Sequence, residues 1–205
     1  LSKGTFSSGV PAAVVTTDDV EGSTSDWSTA GGTGTNLWTV VTTASHSPTH
    51  SWFVSDPATV SDQRLSMVTA RNLTFGARLS FWHRYDTEAG SSPYDGGVLE
   101  YSVDGGANWF DILLGNGGAI PANPGRFLVG GYTGTISGSF SNPLANRQAW
   151  SGDNLAWEQV QADLSDFAGQ ATRFRWRFGS DSSVSDVGWW VDDVSFSIPG
   201  PCGGA

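Results

Sequence analysis

Cysteine is all but missing from this sequence. Cys202 stands alone in the terminal stretch Pro199-Gly200-Pro201-Cys202-Gly203-Gly204, so no internal disulfide can form and the fold must hold without one. Basic residues are scarce as well. Ten Lys and Arg face twenty Asp and Glu, the only lysine is Lys3, and a formal net charge of −10 argues against nucleic acid as a partner. Histidine occurs only at His46, His50 and His83; the first two have i, i+4 spacing, but Ser47-Pro48-Thr49 between them will not form the helix that aims two imidazoles at one zinc. With no His-Glu-x-x-His, no Gly-x-Ser-x-Gly elbow and no Gly-x-x-x-x-Gly-Lys loop, zinc hydrolysis, elbow-type serine hydrolysis and phosphate-loop nucleotide binding lose their usual signatures. A run of about 18 apolar residues is also lacking. The start, Leu1-Ser2-Lys3-Gly4, does not show the basic-then-apolar pattern of a leader, which reads as a soluble piece of a processed or longer protein.

What is present suits one core. Hydrophobic residues make up 38% and aromatics 12%, while 27 Gly and 9 Pro are scattered along the chain and disfavour long helices. Apolar residues alternate instead of recurring at helical spacing, so the fold class is all-β, a sandwich or barrel. The clearest strand is Arg173-Phe174-Arg175-Trp176-Arg177-Phe178, with three aromatics on one face and three guanidinium groups on the other. Further strands are predicted over 79–85, 98–103, 109–114, 157–164 and 189–198, and one short helical turn over 164–169. Residues 1–14 read as a linker or edge segment, 15–199 as the domain and 200–205 as a tail. The Gly- and Pro-rich loops over 115–131 and 137–146 are candidates for a binding edge.

Several groups of residues invite a chemical reading. Ser102-Val103-Asp104-Gly105-Gly106-Ala107-Asn108-Trp109-Phe110 fits an Asp-box with Asn108 in place of Thr, a hairpin turn rather than a site. In Trp189-Trp190-Val191-Asp192-Asp193-Val194-Ser195-Phe196, strict alternation puts Asp192 on the core face with Trp190, Val194 and Phe196. A carboxylate there needs a partner, and a calcium ion shared with Glu21 is one answer, completed by carbonyls over 45–48 and by Asp19, Asp26 or Asp193. Backbone amides bound to the carboxylate are the other. The acidic stretches at Asp86-Thr87-Glu88, Tyr94-Asp95 and around Asp181 and Asp186 read as solvated loops. The arginine row at 173, 175 and 177 is expected to pair with carboxylates on neighbouring strands, such as Glu158, or to read an anion. Of the ten tryptophans, Trp109 and Trp176 belong to the core, whereas Trp150 and Trp189, with Tyr94 and Tyr132, are candidates for sugar stacking.

Taken in order, Asp18-Asp19-Val20-Glu21-Gly22 with Trp27, Trp38 and His46-Ser47, then Leu79-Ser80-Phe81-Trp82-His83, Asp95-Gly96-Gly97-Val98-Leu99-Glu100-Tyr101-Ser102, Asp104-Gly105-Gly106, Arg175-Trp176-Arg177-Phe178 and the Asp192-Asp193-Val194 ending resemble the MAM-type jelly-roll domains beside bacterial secreted metallopeptidases, including the accessory domain of the immune inhibitor A group. The resemblance covers residues 16–199. It implies a two-sheet antiparallel jelly roll, concanavalin-like, with a structural calcium carried over to Glu21 and Asp192. Animal MAM domains pair cysteines, and this chain departs from that branch. The function expected is a non-catalytic, calcium-stabilised accessory or adhesion module of a secreted bacterial protein, at the cell surface or outside the cell. Its partner is an extracellular protein, a polysaccharide or a neighbouring domain, with no nucleic acid and no membrane insertion. A carbohydrate-binding module using exposed aromatics is the alternative. An enzyme built on Glu100, Asp86 and Arg84 is a third reading.

Overall fold

The computed structural model describes residues 12–200, so of the segments expected over 1–14 and 200–205 only 12–14 and 200 are among them, and Cys202 lies outside. In chain order the strands are β1 (Val14–Asp18), β2 (Trp27–Thr33), β3 (Thr39–Val41), β4 (Ser51–Ser55), β5 (Ser61–Met67), β6 (Arg71–Asn72), β7 (Arg78–Asp86) and β8 (Gly96–Ser102). They continue with β9 (Phe110–Asp111), β10 (Phe127–Val129), β11 (Gly134–Thr135), β12 (Gln148–Ala149), β13 (Asp153–Asp163), β14 (Ala171–Ser180) and β15 (Gly188–Ile198). The expected helical turn is a 3-10 turn at Ser165–Phe167. Most of the strand predicted over 109–114 is turn, because Asp111 Oδ1 accepts from Leu113 N–H at 2.9 Å and bends the chain after β9.

Two antiparallel sheets form the sandwich. The first has the order β10-β13-β7-β15-β4-β3 with β1 also on β15, and the second runs β2-β5-β14-β8-β9 with β6 also on β14. Phe174, Trp176 and Phe178 face inward from β14, and Leu79, Phe81, His83 and Tyr85 from β7; Phe81 meets Trp176 edge to face at 5.3 Å. Full burial of such a side chain contributes roughly 2–3 kcal/mol. Outside the second sheet, residues 134–149 fold back so that Ile136, Leu144 and Ala149 cover Val98 as a second small core. Among the described residues no helix is long and apolar enough to cross a membrane.

The last strand departs from simple alternation. Trp189 and Val191 point into the core, and so do Val194 and Phe196, which have the opposite parity. One extra residue is inserted in between: Asp192 lies opposite Trp82 and Ser195 opposite Ser80, and Asp193 takes φ 48°. This β-bulge turns Asp192 to the outer side with Trp190, not to the core face that alternation predicts. It also marks a handover, since β4 pairs with β15 only over 188–191 and β1 only over 194–198.

His83 is 1% exposed, accepts a hydrogen bond at Nδ1 from Trp189 Nε1 at 3.2 Å, and is pushed down to about pH 3 by burial. The unfolded chain takes up this proton near pH 6.5, whereas the folded chain refuses it until about pH 3. The stability that neutral His83 contributes is therefore complete above 6.5 and is lost as pH falls toward 3, at about 1.4 kcal/mol per pH unit. Urea titrations at pH 7, 5.5 and 4 should show that slope reduced by this amount in His83→Gln. An unchanged slope would mean that His83 titrates normally.

Candidate functional site

At the handover between β4 and β1, the segment 46–50 has backbone N–H groups that no strand receives. Two carboxylates take them. Asp192 Oδ2 accepts from His46 and Ser47 N–H at 2.7 and 3.2 Å, and its Oδ1 from Asp193 N–H at 2.7 Å. Glu21 Oε1 accepts from the N–H groups of Thr49 and His50, and His50 Nδ1 lies 3.0 Å from Oε2. Burial pushes the Asp192 carboxyl up to about 6 against these amides, while His50 and the amides hold Glu21 at about 2. Asp193 Oδ2 contacts His46 Nδ1 at 2.5 Å. Asp19 and Asp26 are elsewhere, lining a cleft of about 380 Å³ with Trp27 and Arg71. No three of these five acids bring oxygens within 4.8 Å of one another, and the oxygens of Asp192 and Glu21 accept backbone amides. In this arrangement Glu21 and Asp192 form an amide clamp that pins the 46–50 segment.

Two of the aromatics expected at the surface are core residues, and a third packs half-buried against them. Trp150 and Trp189 are each 1% exposed, and Trp150 gives its Nε1–H to Gly130 O. Tyr132 packs on Trp150 at 4.7 Å, donates from its hydroxyl to Asp111 Oδ2, and receives Leu99 N–H. The two tryptophans cannot stack on a sugar. Tyr94 is half-buried, edge-on to the exposed Phe140 at 5.9 Å.

The aromatics that do reach the outer face of the first sheet are others. Imidazole His46 stacks on Trp82 at 3.8 Å with 11° between planes, and Trp157 stands edge-on to His46 at 6.0 Å. One register position along, Phe53 packs on Trp190 at 4.6 Å and Arg84 lies 5.0 Å over the Trp190 ring. Together these residues make an aromatic strip across β4, β15, β7 and β13, in which Phe53, Trp82 and Trp157 are half-exposed, His46 is exposed and Trp190 is buried beneath them. Alternation over 79–85 carries the signal: with Leu79, Phe81, His83 and Tyr85 inward, Trp82 must point out.

On the second sheet Arg175 and Arg177 pair with carboxylates other than Glu158, whereas Arg173 gives its N–H groups to Met67 O and Gly105 O. Buried Glu100 receives Arg147 and Arg175 at 2.5 Å and Arg177 at 3.4 Å, and Asp62 receives Arg177 at 2.8 Å. Burial raises Glu100, yet Arg147, Arg175 and Arg177 outweigh it and leave its carboxyl below the usual range. Asp86 and Arg84 belong to β7 in the first sheet, so the three residues proposed for catalysis never meet. The Asp-box forms its turn, with Asp104 Oδ1 accepting Asn108 N–H at 3.0 Å; Trp109 lies outside the core, 4.3 Å beneath the Arg175 guanidinium.

One end of the sandwich is strongly acidic. Asp56, Glu88, Asp95 and Asp181 meet there, and the loops expected to be solvated are largely closed, with Asp95 at 0% and Asp181 at 1% exposure. Burial raises Asp56 and Asp95, and other carboxylates add to it: Asp186 and Glu88 act on Asp56, Asp56 and Asp181 on Asp95. The residues span more than a hundred positions, so no local motif announces them.

The K1 cleaved adhesin domain of Lys-gingipain from Porphyromonas gingivalis W83 has a similar fold: TM-score 0.55 at 17% identity, covering 91% of this chain and 99% of that one. The K3 cleaved adhesin domain of the same protein gives 0.55 at 18%, with the same coverage. A glycoside hydrolase domain structure, Endo-D from Streptococcus pneumoniae R6, gives 0.51 at 15%, over 83% of this chain and 21% of that chain. These likenesses are of fold. No curated protein sequence matches the chain. The family model described as Reelin subrepeat B matches residues 38–197, and this match replaces the MAM and immune inhibitor A resemblance. By that match over most of its length, the chain belongs to the Reelin subrepeat B family.

Proposed function

We propose that this chain is a non-catalytic, calcium-stabilised accessory or adhesion module of a secreted protein, and that it contacts an extracellular protein, a polysaccharide or a neighbouring domain through the outer face of its first sheet. The observation that carries this reading is the His46, Trp82 and Trp157 cluster: flat rings held in place by a clamp of Glu21 and Asp192, and left half-open on a sheet face. Rigid aromatics lose little entropy on contact and offer large apolar area. The acid that an enzyme would need is tied up, because Glu100 is sealed by three arginines. An acidic surface with a single lysine suits an extracellular setting.

Polysaccharide is the ligand class favoured by the strip, since ring stacking with a few polar neighbours is how aromatic faces hold sugars. Retention of the purified domain on insoluble polysaccharides and on fibrous proteins such as collagen tests this. The wild type should be retained on one class. Trp82→Ala with Trp157→Ala should lower affinity by roughly tenfold or more, about 1.4 kcal/mol, while the melting temperature changes little. Equal retention of the double variant, or no retention of the wild type on any matrix, contradicts the reading.

A further inference from the structure

Six strand ends converge at the acidic end: β4, β7 and β14 finish there, and β8, β13 and β15 begin there. Asp56 follows β4 directly, Glu88 lies two residues past β7, Asp95 precedes β8 and Asp181 follows β14. Oxygens of Glu88, Asp95 and Asp181 all lie within 4.8 Å of one another. Ligands about 2.3–2.6 Å from one ion have that separation.

Amides hold one oxygen of each aspartate, and the other oxygens of Asp56 and Asp95 are left buried. Glu88 N–H donates to Asp56 Oδ2 at 3.0 Å, Asp181 N–H and Asn142 Nδ2 to Asp95 Oδ1 at 2.6 and 3.3 Å, and Ser183 N–H to Asp181 Oδ1 at 2.8 Å. The opposite oxygens, Asp56 Oδ1 and Asp95 Oδ2, are buried without any hydrogen-bond partner, and so is Glu88 Oε2. Asp95 is 0% and Asp56 3% exposed, so water does not solvate them freely. None of the ion pairs among the described residues reaches any of these four carboxylates. Buried charge of one sign without compensation costs several kcal/mol. The Asp192 clamp is the opposite case, with both oxygens taken by amides.

We propose that Asp56, Glu88, Asp95 and Asp181 hold one divalent cation of the calcium class, an inference that rests on the calcium-stabilised part of the proposed function and gives that ion its place. Oxygen donors alone, four of them carboxylates and none from His or Cys, select a hard ion. The ion ties together the ends of both sheets. It also fixes the rim: Asn142 Nδ2 reaches Tyr94 O and Gly179 O, and Ser182 N–H binds Phe140 O, so that the exposed Phe140 and Val184 are anchored to the site.

The test uses calcium and terbium with the domain alone. Trp150 pairs with Gly97, two residues from Asp95, and should sensitise terbium bound there. Wild type should bind one ion, with terbium emission displaced by calcium and a melting temperature raised by calcium. Asp95→Asn and the half-exposed Glu88→Gln should each weaken binding at least tenfold, whereas Asp192→Asn should bind as wild type. In chelator, Asp95→Asn should melt higher than wild type, because it removes repulsion; if that variant does not fold, Glu88→Gln decides. Loss of binding in Asp192→Asn with retention in Glu88→Gln overturns the site and leaves calcium stabilisation standing. No binding by wild type up to about 10 mM calcium, beyond the range of extracellular modules, overturns both.

Discussion

Gly97→Ala should cost at least about 3 kcal/mol and lower the melting temperature by roughly 6–12 °C. A Cβ at this position would lie 2.2 Å from Trp189 Cζ3 and 2.4 Å from Cε3, inside the indole ring. The ring has nowhere to go: Trp189 is 1% exposed, edge-on to Trp38 at 5.2 Å, and gives its Nε1–H to His83. Gly97 is also bound by two backbone hydrogen bonds to Trp150, which keeps β8 from backing away. Dense interiors respond to an added methyl group by strain, not by flow. Gly105→Ala is the control. That residue has φ 75° and nothing within 4 Å, so only the backbone term of about 1 kcal/mol applies. Thermal melts of both variants give the comparison, and equal losses would mean that the Trp189 contact does not constrain β8.

Glu100→Gln should be nearly as damaging, at about 3 kcal/mol, although it keeps the side chain's shape. The carboxylate is the meeting point of Arg147, Arg175 and Arg177. Without its charge, Arg147 retains Asp111 at 2.8 Å and Arg177 retains Asp62, but Arg175 loses its ion-pair partner while still facing two guanidinium groups. Replacing both ends, Glu100→Leu with Arg175→Leu, should recover much of the loss, because removing a buried pair together avoids leaving one charge stranded. Urea titrations of the single and double variants measure the coupling. A double variant no more stable than Glu100→Gln would show that the charge is held by the network as a whole and not by this pair.

How much of this was legible in the sequence depends on how local the cause is. Period-two aromatics write β14 and β7 directly, since Phe174, Trp176 and Phe178 need one face and the arginines the other. By contrast, β5 reads Ser-Asp-Gln-Arg-Leu-Ser-Met; its inward Gln63 gives Nε2–H to Thr33 O, a partner thirty residues away. Nor does alternation foresee the bulge at Asp192 and Asp193, which exists because two different strands, β4 and β1, share one edge of β15. The first strand, β1, pairs with the last, β15, although nothing in its own five residues marks that partner. Trp150 and Tyr132 stand beside glycine-rich loops and so look exposed, but Trp150 is buried among Phe81, His83, Phe127 and Trp189, and Tyr132 packs half-buried against it. The acidic end was hardest to see, since topology alone brings Asp56 to Asp181.

If partners meet the aromatic strip of the first sheet, the indole N–H signals of the ten tryptophans report the contact. With the domain labelled at the indole nitrogen and titrated with the matrix-derived ligand in soluble form, the signals of Trp82 and Trp157 should shift, while those of Trp150, Trp176 and Trp189 stay fixed. Shifts confined to tryptophans outside the strip, with Trp82 and Trp157 unmoved at saturation, would contradict it.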